Sequence, residues 1–162
     1  MIEVFLKLFI CFVFFIIFWQ DVKYREVYWF LYPLVGVLAF SIYYLHAGLM
    51  VTVTNTTVNS IINLIIIFIT AAYSKFIAKK SFLNTSIGIG DVLMFLFLSA
   101  TFASITYIVL LVFSLIFSLS MHLLLKQKTP HNTVPLAGYM AMFFASVYVV
   151  SFFIKPHYLF SY

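Results

Sequence analysis

Charge is nearly absent from this sequence. Only 8% of its 162 residues are charged and 65% are hydrophobic, whereas a soluble domain carries roughly 25% charged residues. Such a chain cannot cover a water-facing surface with polar groups, which excludes an ordinary soluble domain. No soluble domain of useful size fits between the apolar runs either. We therefore predict an all-α integral membrane protein with a single domain over residues 1–162.

Cysteine is nearly absent as well. The only one, Cys11, lies inside an apolar run, so neither an internal disulfide nor a Cys-x-x-Cys metal site is possible. The four histidines are scattered over different segments without metal-ligand spacing, and we expect no metal and no cofactor. The net charge of +5 comes from short basic clusters between apolar runs. Because no contiguous basic face results, nucleic-acid binding is not expected.

The apolar runs predict six membrane helices. They cover residues 2–20, 27–46, 60–77, 91–107, 108–125 and 134–154. The segment 47–59 is predicted to be an uncharged loop, because it is rich in glycine, threonine and asparagine. As one helix, the stretch from Asp91 to Leu125 would be about 52 Å long, far more than a hydrocarbon core of roughly 30 Å. We therefore expect a break in it that leaves a short fourth helix.

The basic residues predict the orientation of these helices. Seven of the nine lie in the predicted connections after helices one, three and five: Lys23, Arg25, Lys75, Lys79, Lys80, Lys126 and Lys128. By the positive-inside rule these three connections face the cytoplasm, and both termini lie outside. Asp21 and Asp91 then lie on the same, cytoplasmic side of the membrane.

Two of the four carboxylates occupy borders between apolar and polar sequence. Asp21 ends the first apolar run, and Asp91 follows Gly88 and Gly90 at the start of the fourth helix. An ionisable side chain at such a place is costly and by default indicates a functional site. Two carboxyl groups held close share one proton, which suits peptide hydrolysis by an activated water. The glycines would leave room for a substrate backbone and can adopt unusual backbone angles.

A simpler interpretation of the second site stays open. Asp91 could merely cap the start of a helix that follows a flexible glycine-containing loop.

Residues 88–91, Gly-Ile-Gly-Asp, resemble the GxGD motif of intramembrane aspartyl proteases. The six-helix layout, with a first aspartate at the end of helix one, is similar to that of type IV prepilin peptidases and archaeal preflagellin peptidases. The start of helix six at 134–138, which contains a proline, is similar too. The resemblance implies an aspartyl endopeptidase with Asp21 and Asp91 as catalytic pair and Gly88 and Gly90 in the active-site loop. It also implies a pilin-like precursor as substrate, cut without a cofactor at the cytoplasmic face of the inner membrane.

The chain also departs from this family. Leu93 stands where members often carry lysine, two residues after the motif aspartate. The cytoplasmic segment with paired cysteines, found in bacterial members that methylate the new N-terminus, is missing, so we expect peptidase activity without methyltransferase activity. Glu26 is interpreted as a loop charge and His122 as a residue that meets a helix C-terminus.

Two other functions remain open. A small proton-coupled transporter or channel would use the same two acids to carry protons. A catalytically inactive assembly subunit of a pilus or secretion system is the other, motivated by Leu93.

Overall fold

The computed structural model describes residues 1–76, 88–125 and 134–161, and these residues form helices and no strand. The helices are α1 (Ile2–Tyr24), α2 (Leu31–Phe76), α3 (Ile89–Leu98), α4 (Ser104–Leu125), α5 (Leu136–Val150) and the short α6 (His157–Phe160). The predicted all-α class is confirmed. Four of the basic residues that set the predicted orientation, Lys79, Lys80, Lys126 and Lys128, lie outside the described residues.

In the described part of the chain three helices are long and apolar enough to cross a membrane: Ile2–Tyr24, Leu31–Ser74 and Ser104–Leu125. α3 and α5 are also apolar but shorter, about 15 Å and 22 Å by their rise. Large apolar side chains such as Phe12, Phe68 and Phe113 face outward from the bundle. This is the composition and surface of a membrane protein, since lipid tails can cover apolar side chains that water would not.

α2 contradicts the predicted loop over 47–59. The residues on both sides of Gly48 are helical, and within α2 Gly48 alone leaves helical geometry, with φ 77° and ψ 167°. A side chain at this φ would be strained, which explains the glycine. The hydroxyls of Thr52, Thr54 and Thr57 each donate to the carbonyl four residues earlier. The hydroxyls of these threonines therefore find their hydrogen-bond partners within the helix itself.

Gly48 divides α2 into a first arm, 31–47, and a second arm, 49–76, and the chain reverses between them. Phe40 of the first arm and Thr56 of the second line the same groove. In one continuous helix these two residues would be about 24 Å apart along the axis. The two arms therefore pack side by side as an antiparallel pair.

The expected break after Asp91 is present, but it lies earlier than predicted. α3 ends at Leu98 and α4 begins at Ser104, whereas the predicted boundary was at 107–108. Of the residues between them, Thr101 and Phe102 are both 0% exposed. Backbone carbonyls freed at a buried helix end need partners, because neither water nor lipid supplies them there.

Three asparagines of the second arm of α2, spaced four residues apart, bond the backbone at this break, two as donors to carbonyls and one as an acceptor. Asn59 Nδ2 donates to the carbonyls of Ser99 and Phe102 at 2.9 and 3.0 Å. Asn63 Nδ2 donates to the carbonyl of Phe95. Asn55 Oδ1 accepts hydrogen bonds from the backbone and hydroxyl of the first residue of α4. This asparagine ladder, Asn55, Asn59 and Asn63, lets α3 stop inside the bundle.

α1 lies between α5 and α2, α3 lies against α2, and α4 lies against α5. At one end of the bundle the buried Lys7 ammonium pairs with Glu3 at 2.7 Å and donates to the carbonyl of Ser151 at 3.3 Å. His46 Nε2 lies 3.1 Å from the same Glu3 carboxylate. The C-terminal end of α1 and the N-terminal ends of α3 and α5 meet at the other end.

Replacing Asn59 by leucine is expected to lower the free energy of unfolding by about 1–3 kcal/mol, because two buried carbonyls lose their donor. The measurement is unfolding of the purified protein in mixed detergent and SDS. Thr54→Val is the control, since Thr54 is exposed and bonds only within its own helix; its change should stay within about 0.5 kcal/mol. Equal stability of Asn59→Leu and the unaltered protein would contradict the capping role.

Candidate active site

Asp21 lies in the last turn of α1, and its half-buried carboxylate reaches α5. Asp21 Oδ2 accepts a hydrogen bond from the Gly138 backbone N–H at 2.6 Å. Asp21 also takes part in ending α1, because its carbonyl accepts from the Arg25 N–H at 3.2 Å. Its other carboxylate oxygen, Oδ1, accepts no hydrogen bond within the part of the chain that the structure describes. The side chain is thus held by one oxygen and available through the other.

Asp91 lies in the first turn of α3 and contacts two backbone donors. Its Oδ2 accepts from the Gly88 N–H at 3.2 Å, which closes the start of α3. Its Oδ1 accepts from the Ala137 N–H of α5 at 2.8 Å. The simple capping interpretation therefore describes only half of the contacts of Asp91.

The two carboxylates meet on neighbouring amides. The nitrogens of Ala137 and Gly138 are separated by three covalent bonds, so Asp91 Oδ1 and Asp21 Oδ2 are at most about 10 Å apart. Both amides belong to the first turn of α5, where N–H groups have no partner within the helix and the helix dipole is positive. This helix end brings together two acids that are 70 residues apart in the chain.

Gly138 makes the approach of α1 to α5 possible. A Cβ atom at this position would lie 3.0 Å from both Cβ and Oδ2 of Asp21. Close packing of this kind is the common use of small residues between membrane helices. The sequence pattern singled out the start of this helix but not the two amides that hold the acids, because backbone donors leave no trace in residue type.

Gly88 and Gly90 lie next to the acids, as expected, but their backbone freedom is not used. Among the described residues Gly48 is the one glycine with positive φ, so the expectation of unusual angles at 88 and 90 is wrong. What Gly90 provides is room. A Cβ there would lie 2.5 Å from the hydroxyl oxygen of Tyr32, a residue that the sequence analysis did not select.

Arg25 and Tyr139 also lie near the two carboxylates. Arg25 is the one non-glycine residue with positive φ in the described ranges, at 60°, a conformation that is costly for such a residue. Its charge acts on both carboxylates. The Nε and Nη2 atoms of Arg25 and the hydroxyl of Tyr139 are enclosed and have no hydrogen-bond partner among the residues described.

The other residues weighed from the sequence make smaller contributions. Leu93 packs against the apolar core, and Glu26 is exposed. His122 lies in the last turn of α4, as expected. Within the described ranges no group of three or more histidine, cysteine, aspartate or glutamate side chains could hold a metal ion.

No protein-family model matches this sequence, and no curated protein or solved structure matches it either.

Gly138→Ala is expected to lower the free energy of unfolding by about 1–3 kcal/mol, because the added methyl group overpacks the contact with Asp21. The three nearest atoms all belong to the Asp21 side chain. In an Asp21→Gly background the cost of Gly138→Ala should therefore vanish. Unfolding of the four proteins in a double-mutant cycle checks this coupling. The same cost in both backgrounds would mean that Asp21 does not lie against Gly138.

Proposed function

We propose that this chain is a membrane-embedded aspartyl endopeptidase of the prepilin-peptidase type. The observation that supports the proposal is the convergence of Asp21 and Asp91 on the adjacent amides of Ala137 and Gly138. Placing two carboxylates at the border between apolar and polar sequence costs free energy. Both of them are held here by the N-terminus of one helix, α5. The chemistry that suits two close carboxyl groups is hydrolysis with one shared proton.

In the proposed reaction, water attacks the carbonyl carbon of the scissile peptide bond. One carboxylate takes the proton from that water, while the protonated partner donates a hydrogen bond to the carbonyl oxygen. The C–N bond then breaks, and the leaving nitrogen takes a proton from the pair. Asp21 Oδ1, which has no protein donor within the described part of the chain, is the oxygen open to the water. Ala137 and Gly138 keep the two side chains in place through the reaction.

We further propose six membrane crossings: α1, the two arms of α2, α3, α4 and α5. α3 and α5 both begin at the acids and are shorter than a hydrocarbon core of roughly 30 Å. The acids would therefore lie below the membrane surface, where water is limited. We propose that this end of the bundle faces the cytoplasm, which the positive-inside rule supports because Lys23 and Arg25 follow α1 at that end.

The proposed substrate is the precursor of a pilin-like protein, cut next to its apolar helix. A cleavage site at the border of such a helix would reach the recessed acids from within the lipid. The proposed product is the mature apolar helix, released without methylation of its new N-terminus.

Asp21→Asn and Asp91→Asn should each lower the rate of precursor cleavage by at least about 100-fold, because asparagine cannot take up or supply the proton. Asparagine keeps an oxygen that can accept from the α5 amides, so the fold should survive. The measurement is cleavage of a pilin-like precursor by the purified protein in detergent, followed by gel electrophoresis and mass spectrometry. Glu26→Gln is the control and should cleave at the full rate.

Cleavage retained in either asparagine variant would contradict the paired-acid mechanism. Absence of cleavage by the unaltered protein, together with proton flux into liposomes that both variants abolish, would favour a transporter. Pilus assembly that proceeds normally in cells with both asparagine substitutions would favour an inactive assembly subunit.

A further inference from the structure

Tyr32, the second residue of α2, has its ring buried but its hydroxyl directed at the acid pair. Only 1% of the residue is exposed. Its hydroxyl oxygen is the atom nearest to the missing Cβ of Gly90, at 2.5 Å, with the ring carbons farther away at 3.4 and 4.0 Å. The hydroxyl therefore touches the backbone that immediately precedes Asp91. The negative charges of Asp21 and Asp91 both act on it.

The Tyr32 hydroxyl forms no hydrogen bond within the described ranges, which is unusual because buried hydroxyls are normally paired. Tyr107 follows the ordinary rule, since its hydroxyl bonds to Asn63 at 2.9 Å. The hydroxyls of Tyr139 and Tyr148 also have no partner among the residues that the structure describes, but they are completely enclosed by protein. The Tyr32 hydroxyl differs from these in its position, because it lies over Gly90, directly before Asp91.

We propose that Tyr32 is a further catalytic residue, whose hydroxyl donates a hydrogen bond to the carbonyl oxygen of the scissile peptide. The inference rests on the proposed peptidase function. Negative charge develops on this oxygen when water attacks the carbonyl carbon, and a fixed neutral donor stabilises that charge. Tyr32 keeps its proton throughout, while the proton of the water moves to the aspartate pair. The protonated carboxyl group of the pair donates to the same oxygen, and Tyr32 supplies a second donor, which the enclosed Tyr139 hydroxyl cannot do.

The proposed role of Tyr32 also explains why position 90 is a glycine. Any side chain at position 90 would push the Tyr32 hydroxyl away from the acids, because a Cβ would overlap it. The second glycine of the Gly-Ile-Gly-Asp stretch is therefore needed for the donor as well as for space near the substrate.

Tyr32→Phe removes the hydroxyl and keeps the ring. We expect kcat for precursor cleavage to fall by about 10²–10³-fold, the usual loss when one donor to an oxyanion is removed. KM and the melting temperature should stay close to those of the unaltered protein. Tyr148→Phe is the matched control, because it removes an enclosed hydroxyl without a partner among the described residues, from a ring that packs against Phe14 and Phe102; its kcat should not change.

A second measurement needs no activity. Gly90→Ala should lower the melting temperature, because its methyl group overlaps the Tyr32 hydroxyl. In a Tyr32→Phe background the same substitution should lose most of this effect, since the next atom is 3.4 Å away. An equal effect in both backgrounds would mean that the hydroxyl does not lie over Gly90, and the proposal would be wrong.

The outcomes separate this inference from the proposed function. Full cleavage by Tyr32→Phe, with none by the Asp21→Asn and Asp91→Asn variants, would remove Tyr32 from the mechanism and leave the aspartate pair intact. A rise in KM at unchanged kcat would also overturn the proposal, because it would make Tyr32 a residue for substrate binding only. Absence of cleavage by the unaltered protein would reject the peptidase function and this role together.

Discussion

The first turn of α5 leaves backbone N–H groups without partners, and much of this structure depends on how they are satisfied. Every helix has such donors at its start, and the amides of Ala137 and Gly138 are buried, so that protein groups have to pair with them. Here the carboxylates of Asp91 and Asp21 accept from Ala137 and Gly138. The need is mutual, because a buried carboxylate also requires donors. One contact region thus joins α1, α3 and α5 and at the same time assembles the candidate site.

A second contact between α1 and α5, at the opposite end of the bundle, helps to hold Asp21 against α5. Lys7 of α1 donates to the carbonyl of Ser151, and Asp21 accepts from Gly138. These contacts are 14 residues apart along α1 and 13 residues apart along the antiparallel α5, about 21 and 20 Å of rise. The matching lengths set the register of the two helices, so a shift of α1 along α5 would break both contacts.

The depth of Asp91 depends on a different set of polar groups. α3 has ten residues and ends inside the bundle, where Asn59 and Asn63 satisfy the carbonyls of its last turn and of the residues that follow. Without this ladder the backbone would have to continue as a helix to satisfy itself. Next to the acids, glycines contribute space at two contacts, Gly138 against Asp21 and Gly90 against Tyr32. The site is therefore built by close helix packing and by side chains that replace missing backbone partners.

The sequence by itself determined the features that depend on local composition and length. Apolar runs predicted a helical membrane protein, and the length of the stretch from Asp91 to Leu125 required a break. The borders of those runs singled out Asp21 and Asp91 as candidate site residues, because acids are rare and costly there.

Only the tertiary structure decided which groups meet. The segment 47–59 resembles a loop in composition, yet it is helical apart from Gly48, because its polar side chains bond within the helix or to the α3–α4 break 40 residues away. The amides of Ala137 and Gly138 reach the acids through the packing of α5, and the hydroxyl of Tyr32 reaches Gly90, beside Asp91, through the packing of α2. Such contacts join residues far apart in the chain, and no local pattern encodes them.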